Sequence, residues 1–241
     1  MRTIETEALV LSTYPYKEKD AIVSLLLENQ VLDVLARGVQ SMKSKNRSLI
    51  QPFSWIQCTY SERTKGFPLL LYGNVKKYYY QITGDLESQS VCFVLRDCIK
   101  AMPKNKLTYS LMKSIWTSFH RKEKSAYGYA CFFIKELIQA HGITPHLKSC
   151  VRCNRTNRIE TISIKDGGFL CSSCNQHLYQ KWSKTDLLRF LHLFRCDFDQ
   201  IENLINHFTY TVYDFLFLVN WYEFYTDQEI SSAIFLKTVI K

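Results

Sequence analysis

Two cysteine pairs, Cys150-Val151-Arg152-Cys153 and Cys171-Ser172-Ser173-Cys174, stand seventeen residues apart. Each pair offers two thiolates from one tight turn, and two such turns folded together make the tetrahedral sulfur cage that structural zinc prefers. Four unrelated buried cysteines would rarely repeat a two-residue spacing across a ribbon-length insert. A four-thiolate cage leaves the metal no open position for water or substrate. One structural zinc ion per chain is therefore expected to hold the fold together and to catalyse nothing. His141, His146 and His177 flank this segment and are read as surface histidines, because Cys150, Cys153, Cys171 and Cys174 already complete a shell.

At 241 residues the chain exceeds one typical domain of about 100 to 200 residues. Hydrophobic residues make up 46% and aromatics 14%, with eight glycines and five prolines, which excludes a disordered or fibrous chain. The opening Met1-Arg2-Thr3-Ile4-Glu5-Thr6-Glu7 carries acids where a signal peptide needs an apolar core. The most apolar late stretch is broken by Asp214, Asn220 and Glu223. Neither export nor a membrane span is expected. The other five cysteines, Cys58, Cys92, Cys98, Cys131 and Cys196, are odd in number and sit among apolar neighbours. They fit packing in a reduced cytoplasm.

The formal charge of +9 is unevenly spread. Residues 1–149 hold 21 Lys and Arg against 12 Asp and Glu, whereas residues 181–241 hold six against eight. Such a bias is expected where one surface of the first three quarters meets a polyanion, the plain alternative being a solvated basic surface.

Strands are predicted over Ile4–Ser12, Ala21–Leu27, Val31–Ala36, Ser54–Ser61 and Leu69–Gln81, with turns at Glu28-Asn29-Gln30 and Lys65-Gly66-Phe67-Pro68. Five strands without a helical period suggest a small closed barrel such as an OB-fold. From Leu86 the period changes to steps of three and four, giving three helices that end near Gly142 and Pro145. Ser183-Lys184-Thr185-Asp186 has a capping-box pattern, so a helix should open there, and Phe208–Tyr225 reads as a mainly buried helix. The fold class is α+β: a five-stranded N-terminal OB-fold barrel over residues 1–82, then an all-α domain over 83–241 with the zinc ribbon inserted at 148–179.

Two windows lack any acid. Residues 34–61 contain Arg37, Lys43, Lys45 and Arg47 grouped around Ser41, Ser44 and Asn46. OB-folds meet nucleic acid on such interstrand loops. Residues 98–122 contain Lys100, Lys104, Lys106, Lys113, Arg121 and Lys122. Of these Lys104, Lys106, Lys113, Arg121 and Lys122 are candidates for contact with DNA or with an acidic partner tail. Stacking of unpaired bases needs flat rings, and Phe53, Trp55, Tyr60 and Tyr72 lie on presumed strands, with Tyr78-Tyr79-Tyr80 following the further DNA-contact candidates Lys76 and Lys77. About half of these rings must fill the barrel, and alternation puts Tyr78 and Tyr80 on one face and Tyr79 on the other without saying which is wet. No phosphate loop, G-x-S-x-G elbow or H-E-x-x-H pair is present, and a non-enzymatic role is expected.

Several segments taken together resemble the RecO family of bacterial DNA repair and recombination proteins. They are Ala8-Leu9-Val10-Leu11 with Tyr16-Lys17-Glu18-Lys19-Asp20, the basic Ala36-Arg37-Gly38 to Lys45 loop, and Leu49-Ile50-Gln51-Pro52-Phe53. Glu136-Leu137, Gly142-Ile143-Thr144-Pro145, Gly167-Gly168-Phe169-Leu170 and the four cysteines complete the set. The resemblance runs to about Tyr179, beyond which only helical character and the Ser231-Ser232 to Leu236 stretch are similar. One departure is Gln30, where the family usually has glycine. Membership implies binding of single- and double-stranded DNA, annealing of complementary strands, and work with RecR in helping RecA replace single-strand-binding protein. It implies a cytoplasmic protein, nucleoid-associated during repair, with the C-terminal tail of single-strand-binding protein as a further partner. The match carries DNA contact onto Arg37, Lys43 and Lys45; Arg47 is added from charge. Competing readings are an OB-fold and zinc-ribbon RNA-binding factor of the ribosome or transcription apparatus, a redox-sensing chaperone, and an enzyme of unfamiliar chemistry.

Overall fold

The computed structural model describes residues 2–41, 43–103 and 105–240. Five strands, β1 (Thr3–Tyr16), β2 (Asp20–Leu26), β3 (Val31–Ala36), β4 (Ser54–Ser61) and β5 (Leu69–Tyr78), close into a barrel in the order β1-β2-β3-β5-β4. Neighbours are antiparallel except β3 and β5, which pair in parallel through Leu35 with Leu69 and Ala36 with Leu70. This is the OB-fold arrangement that the strand pattern predicts.

The first strand is longer than the expected Ile4–Ser12 because it serves two neighbours. Thr3–Leu9 pairs with β4 and Leu9–Tyr16 with β2, and a register shift between Val10 and Ser12 bends the strand around the barrel. The turn to β3 closes when Leu27 N–H donates to the Gln30 carbonyl at 2.8 Å. None of residues 28–30 takes a positive φ, so Gln30 costs that turn nothing.

The fifth strand is shorter than the expected Leu69–Gln81. It stops at Tyr78, Tyr79 turns into the core, and Tyr80 opens the one-turn helix α1 (Tyr80–Thr83). The alternating-face assignment of Tyr80 is thereby corrected: its exposure comes from a helix rather than from a strand face.

Helices α2 (Leu86–Ile99), α3 (Lys106–His120) and α4 (Ala126–Ala140) follow. Asp85 caps α2 by accepting from Ser88 N–H at 2.9 Å, and Asn105 caps α3 by accepting from Thr108 N–H at 3.1 Å. Gly142, at φ +70°, closes α4 by donating to Gln139 O while Ile143 N–H reaches Ile138 O. Then come the ribbon strands β6 (Ile159–Ser163) and β7 (Gly168–Cys171) and the one-turn helix α5 (Ser172–Asn175). A Cβ at Gly168 would meet His146 O at 2.2 Å, so only glycine lets the approach segment lie along β7. Phe169 N–H donates to His146 O there.

Four further helices, α6 (Lys184–Arg195), α7 (Ile201–His207), α8 (Val212–Thr226) and α9 (Ser231–Val239), complete the described chain. Ser183 caps α6 as its sequence predicts, accepting from Asp186 N–H at 3.1 Å. Thr211 and Asp214 form a full capping box at α8. Barrel and helices are welded by one apolar core in which Phe53 and Tyr79 meet Trp116 at 5.4 and 5.7 Å between ring centroids. No helix among the described residues is long and apolar enough to cross a membrane.

Candidate nucleic-acid interface and metal centre

The segment between β3 and β4 is held on the barrel at three points. Gly38 N–H donates to Asp20 Oδ1 at 2.9 Å, Val39 is buried in the barrel core, and the Asn46 side chain donates to Leu71 O at 2.8 Å. A 3-10 turn over Arg47–Ile50 then buries Leu49 and Ile50. With Val39, Leu49 and Ile50 facing inward, Arg37, Lys43, Lys45 and Arg47 are all left exposed. The four cations read from the first acid-free window are thus all exposed on one interstrand segment.

Lys76 and Lys113 are placed differently from the loop cations. Glu7 on β1 pairs with Lys76 and accepts from Trp55 Nε1 at 3.0 Å. Lys76 and Lys113 lie over the Trp55 ring at 5.1 and 3.3 Å from its centroid. Trp55, a candidate for base stacking, is already occupied by two ammonium groups. The Lys76 hydrogen bond holds the Glu7 carboxyl below its ordinary range, and desolvation pulls the Lys113 ammonium down. Lys77 lies over the Tyr79 ring at 4.9 Å.

On α3, Lys106 is exposed in the first turn, and Lys113 and Arg121 share a hydroxyl-rich depression with Ser110, Ser114 and Thr117. Arg121 pairs with Glu123 at 3.5 Å, and Lys122 is exposed just beyond. Lys104 lies outside the described residues. Of the rings, Phe53, Tyr60 and Tyr79 are buried, whereas Tyr72, Tyr78 and Tyr80 are exposed.

The four cysteines converge: their sulfurs all lie within 4.8 Å of one another. Cys153 and Cys171 are 3.6 Å apart, too far for a disulfide and close to the edge of about 3.8 Å of a tetrahedron with metal–sulfur bonds of about 2.3 Å. Burial pushes the Cys150 thiol up, but backbone donors at Cys171, Arg152 and Cys153 outweigh this and bring it down to about 6. Cys174 is pushed up to about 12, first by its hydrogen bond with Cys153 and then by burial. Four thiolates so close repel one another unless a cation sits among them, so this donor set fits a soft divalent metal ion. Arg152 braces the first knuckle, bonding Asp166 Oδ1 at 2.8 Å and Cys174 O at 3.1 Å. Asn154 follows it at φ +61°, a conformation asparagine tolerates. Cys58, Cys92, Cys98, Cys131 and Cys196 are all buried, and burial raises each thiol, so none shares the lowered value of Cys150.

One feature lay outside the sequence reading. A groove of about 500 Å³ runs between the ribbon and α6, floored by Leu147, Ile159, Phe169, Trp182, Leu187 and Leu188 and rimmed by Lys148, Arg158, Lys181, Lys184 and Arg195. No carboxylate is among the described lining residues, although Lys181 lies 3.6 Å from Glu160. Regional charge counts hide this rim, because its cations come from three segments and the last one is acidic in sum.

Residues 1–77 match the family described as Recombination protein O N terminal, and residues 108–219 match Recombination protein O C terminal. The chain belongs to the RecO family. It is 26% identical to the DNA repair protein RecO of Syntrophomonas wolfei over 176 residues, 71% of this chain and 70% of that one. It is 28% identical to the RecO of Bacillus velezensis over 193 residues, 78% and 75% of the two chains, and 24% identical to that of Caldanaerobacter subterraneus over 211 residues, 85% of each. RecO membership makes the chain a DNA repair and recombination protein with a mixed fold and a cysteine cluster able to hold a metal ion.

Proposed function

We propose that the protein is a non-enzymatic recombination mediator that binds single- and double-stranded DNA, anneals complementary strands, and acts with RecR to help RecA replace single-strand-binding protein. The observation that carries this reading is the acid-free loop fastened to the barrel, with Arg37, Lys43, Lys45 and Arg47 all turned to solvent. Mobile cations on a fixed loop can follow a flexible phosphate chain, and an OB-fold is a common base for such a track. Lys77 lies over Tyr79, whereas Lys76 is paired with Glu7 and, with Lys113, lies over Trp55. The ion in the thiolate cage is zinc, with a structural role, and the working compartment is the cytoplasm.

The acidic tail of single-strand-binding protein is assigned to the groove beside the ribbon rather than to Lys106 and Lys113, because a tail needs an apolar floor as well as cations. The reading is tested by annealing of complementary strands coated with single-strand-binding protein, comparing the wild type with a variant in which Arg37, Lys43, Lys45 and Arg47 are all changed to alanine. Affinity should fall and the slope of log affinity against log salt should flatten by about 0.7 per lost contact on a single strand. Unchanged slope and unchanged annealing would refute it.

A further inference from the structure

A pocket of about 310 Å³ opens where the barrel meets α2, sharing no lining residue with the ribbon groove and not lined by Trp55. Its walls combine the rings of Tyr14, Tyr78 and Phe93 with the side-chain amides of Gln51 and Gln89 and the guanidinium of Arg96. Tyr14 is 55% exposed and Tyr78 39%, so both offer ring surface to solvent, while Phe93 is backed by Phe53 at 5.7 Å. The Arg96 guanidinium lies 4.9 Å from the Phe93 centroid and donates one Nε and one Nη2 hydrogen to Asp97 Oδ1, so it adds a flat cationic edge already paired with a carboxylate. The Gln89 side chain makes no hydrogen bond among the described residues, which leaves its donor and acceptor for an incoming group.

The backbone here is built under constraint. Phe53 is 2% exposed and sits at φ +62°, an unfavourable conformation for a bulky residue. It is held by its own N–H donating to Val10 O at 3.0 Å and by Tyr79 N–H donating to its carbonyl at 2.9 Å. Gln51 and Pro52, the two residues before it, line the pocket with Phe53 itself. The Gln51 amide donates to Arg47 O at 3.3 Å, so the pocket begins where the basic loop ends.

We infer that this pocket receives one unpaired nucleobase of single-stranded DNA, stacked on Tyr14 or Tyr78 and addressed at its polar edge by Gln89 and Gln51. The inference rests on the DNA-binding reading above and adds a base-recognising element to a phosphate track. Aromatic surface with amides alongside suits a base, which has a flat apolar face and a hydrogen-bonding edge. A duplex keeps its bases paired and stacked and would leave the pocket empty.

The test compares three DNAs: a short single strand, the same strand with abasic sites and equal charge, and a duplex. The wild type should prefer the base-bearing strand over the abasic one, and a 2-aminopurine base in the strand should be quenched on binding. Tyr14→Ala with Tyr78→Ala should reduce that preference roughly tenfold, the scale of one stacked base, leaving abasic and duplex affinities and the salt slope as they were. Tyr78→Phe should retain the stacking, and Gln89→Leu should weaken discrimination among bases while the melting temperature holds. Full preference in the double variant, or an equal loss on abasic and base-bearing strands, would overturn the pocket. Equal wild-type affinity for both strands would overturn the pocket while sparing DNA binding. No wild-type binding to any of the three would overturn both.

Discussion

Glu7 is where the residue scale matters most. Its carboxylate pairs with Lys76, accepts from Trp55 and draws Lys113 toward the same ring, joining strands β1, β4 and β5 to helix α3. Glu7→Gln should release both lysines to solvent. The expected result is tighter single-strand binding at low salt, with the log–log salt slope steeper by about 0.7 for each lysine that reaches a phosphate. A slope equal to that of the wild type would show that neither lysine faces the DNA path. Because the folded-state carboxyl is held below its ordinary range, the tie is fully formed at neutral pH. It is lost only as pH falls below the usual carboxylate range and through the lowered value. Stability of the Glu7→Gln variant should therefore be less sensitive than that of the wild type to acidification there, as thermal melts at successive pH values would report. Trp55 shows what a sequence can and cannot tell at this scale. Strand alternation leaves open whether its ring fills the barrel or meets solvent, and only packing reveals that two lysines cover it.

At the scale of elements, the ribbon was the most legible part of the chain. Two identical spacings predict two knuckles, and the structure places all four sulfurs within 4.8 Å. The knuckles form locally, so the pattern needs little help from distant residues. Replacing Cys150 or Cys171 with serine should abolish stoichiometric zinc and expose the 154–170 hairpin to protease, while leaving barrel-dependent DNA affinity within about twofold. Zinc content near one per chain in either variant would contradict the cage. The end of β5 was not legible, since Tyr78-Tyr79-Tyr80 are uniformly good strand formers. What stops the strand is tertiary: Tyr79 is drawn between Trp116 and His120, both on α3.

Over the whole molecule, positive charge is distributed by folding rather than by sequence region. The net surplus in residues 1–149 marks the barrel loop, but Lys148 at the end of that segment is joined around an apolar groove by Arg158, Lys181, Lys184 and Arg195, four cations from the part of the chain that carries no surplus. Changing Lys181 and Lys184 to glutamate should weaken binding of an acidic peptide with a terminal aromatic residue by about tenfold or more. Affinity for naked single-stranded DNA should hold, as fluorescence anisotropy with labelled peptide and labelled DNA would show. Parallel loss of both would merge the groove with the DNA track. The chain by itself determined the barrel, the helical region and the thiolate cage, because each rests on short-range periodicity or spacing written in consecutive residues. Only the tertiary structure decided which cations are exposed, which rings are wet and where the basic groove and the pocket beside α2 lie. Those properties depend on what another element covers, and that covering is set by packing between residues far apart in the chain.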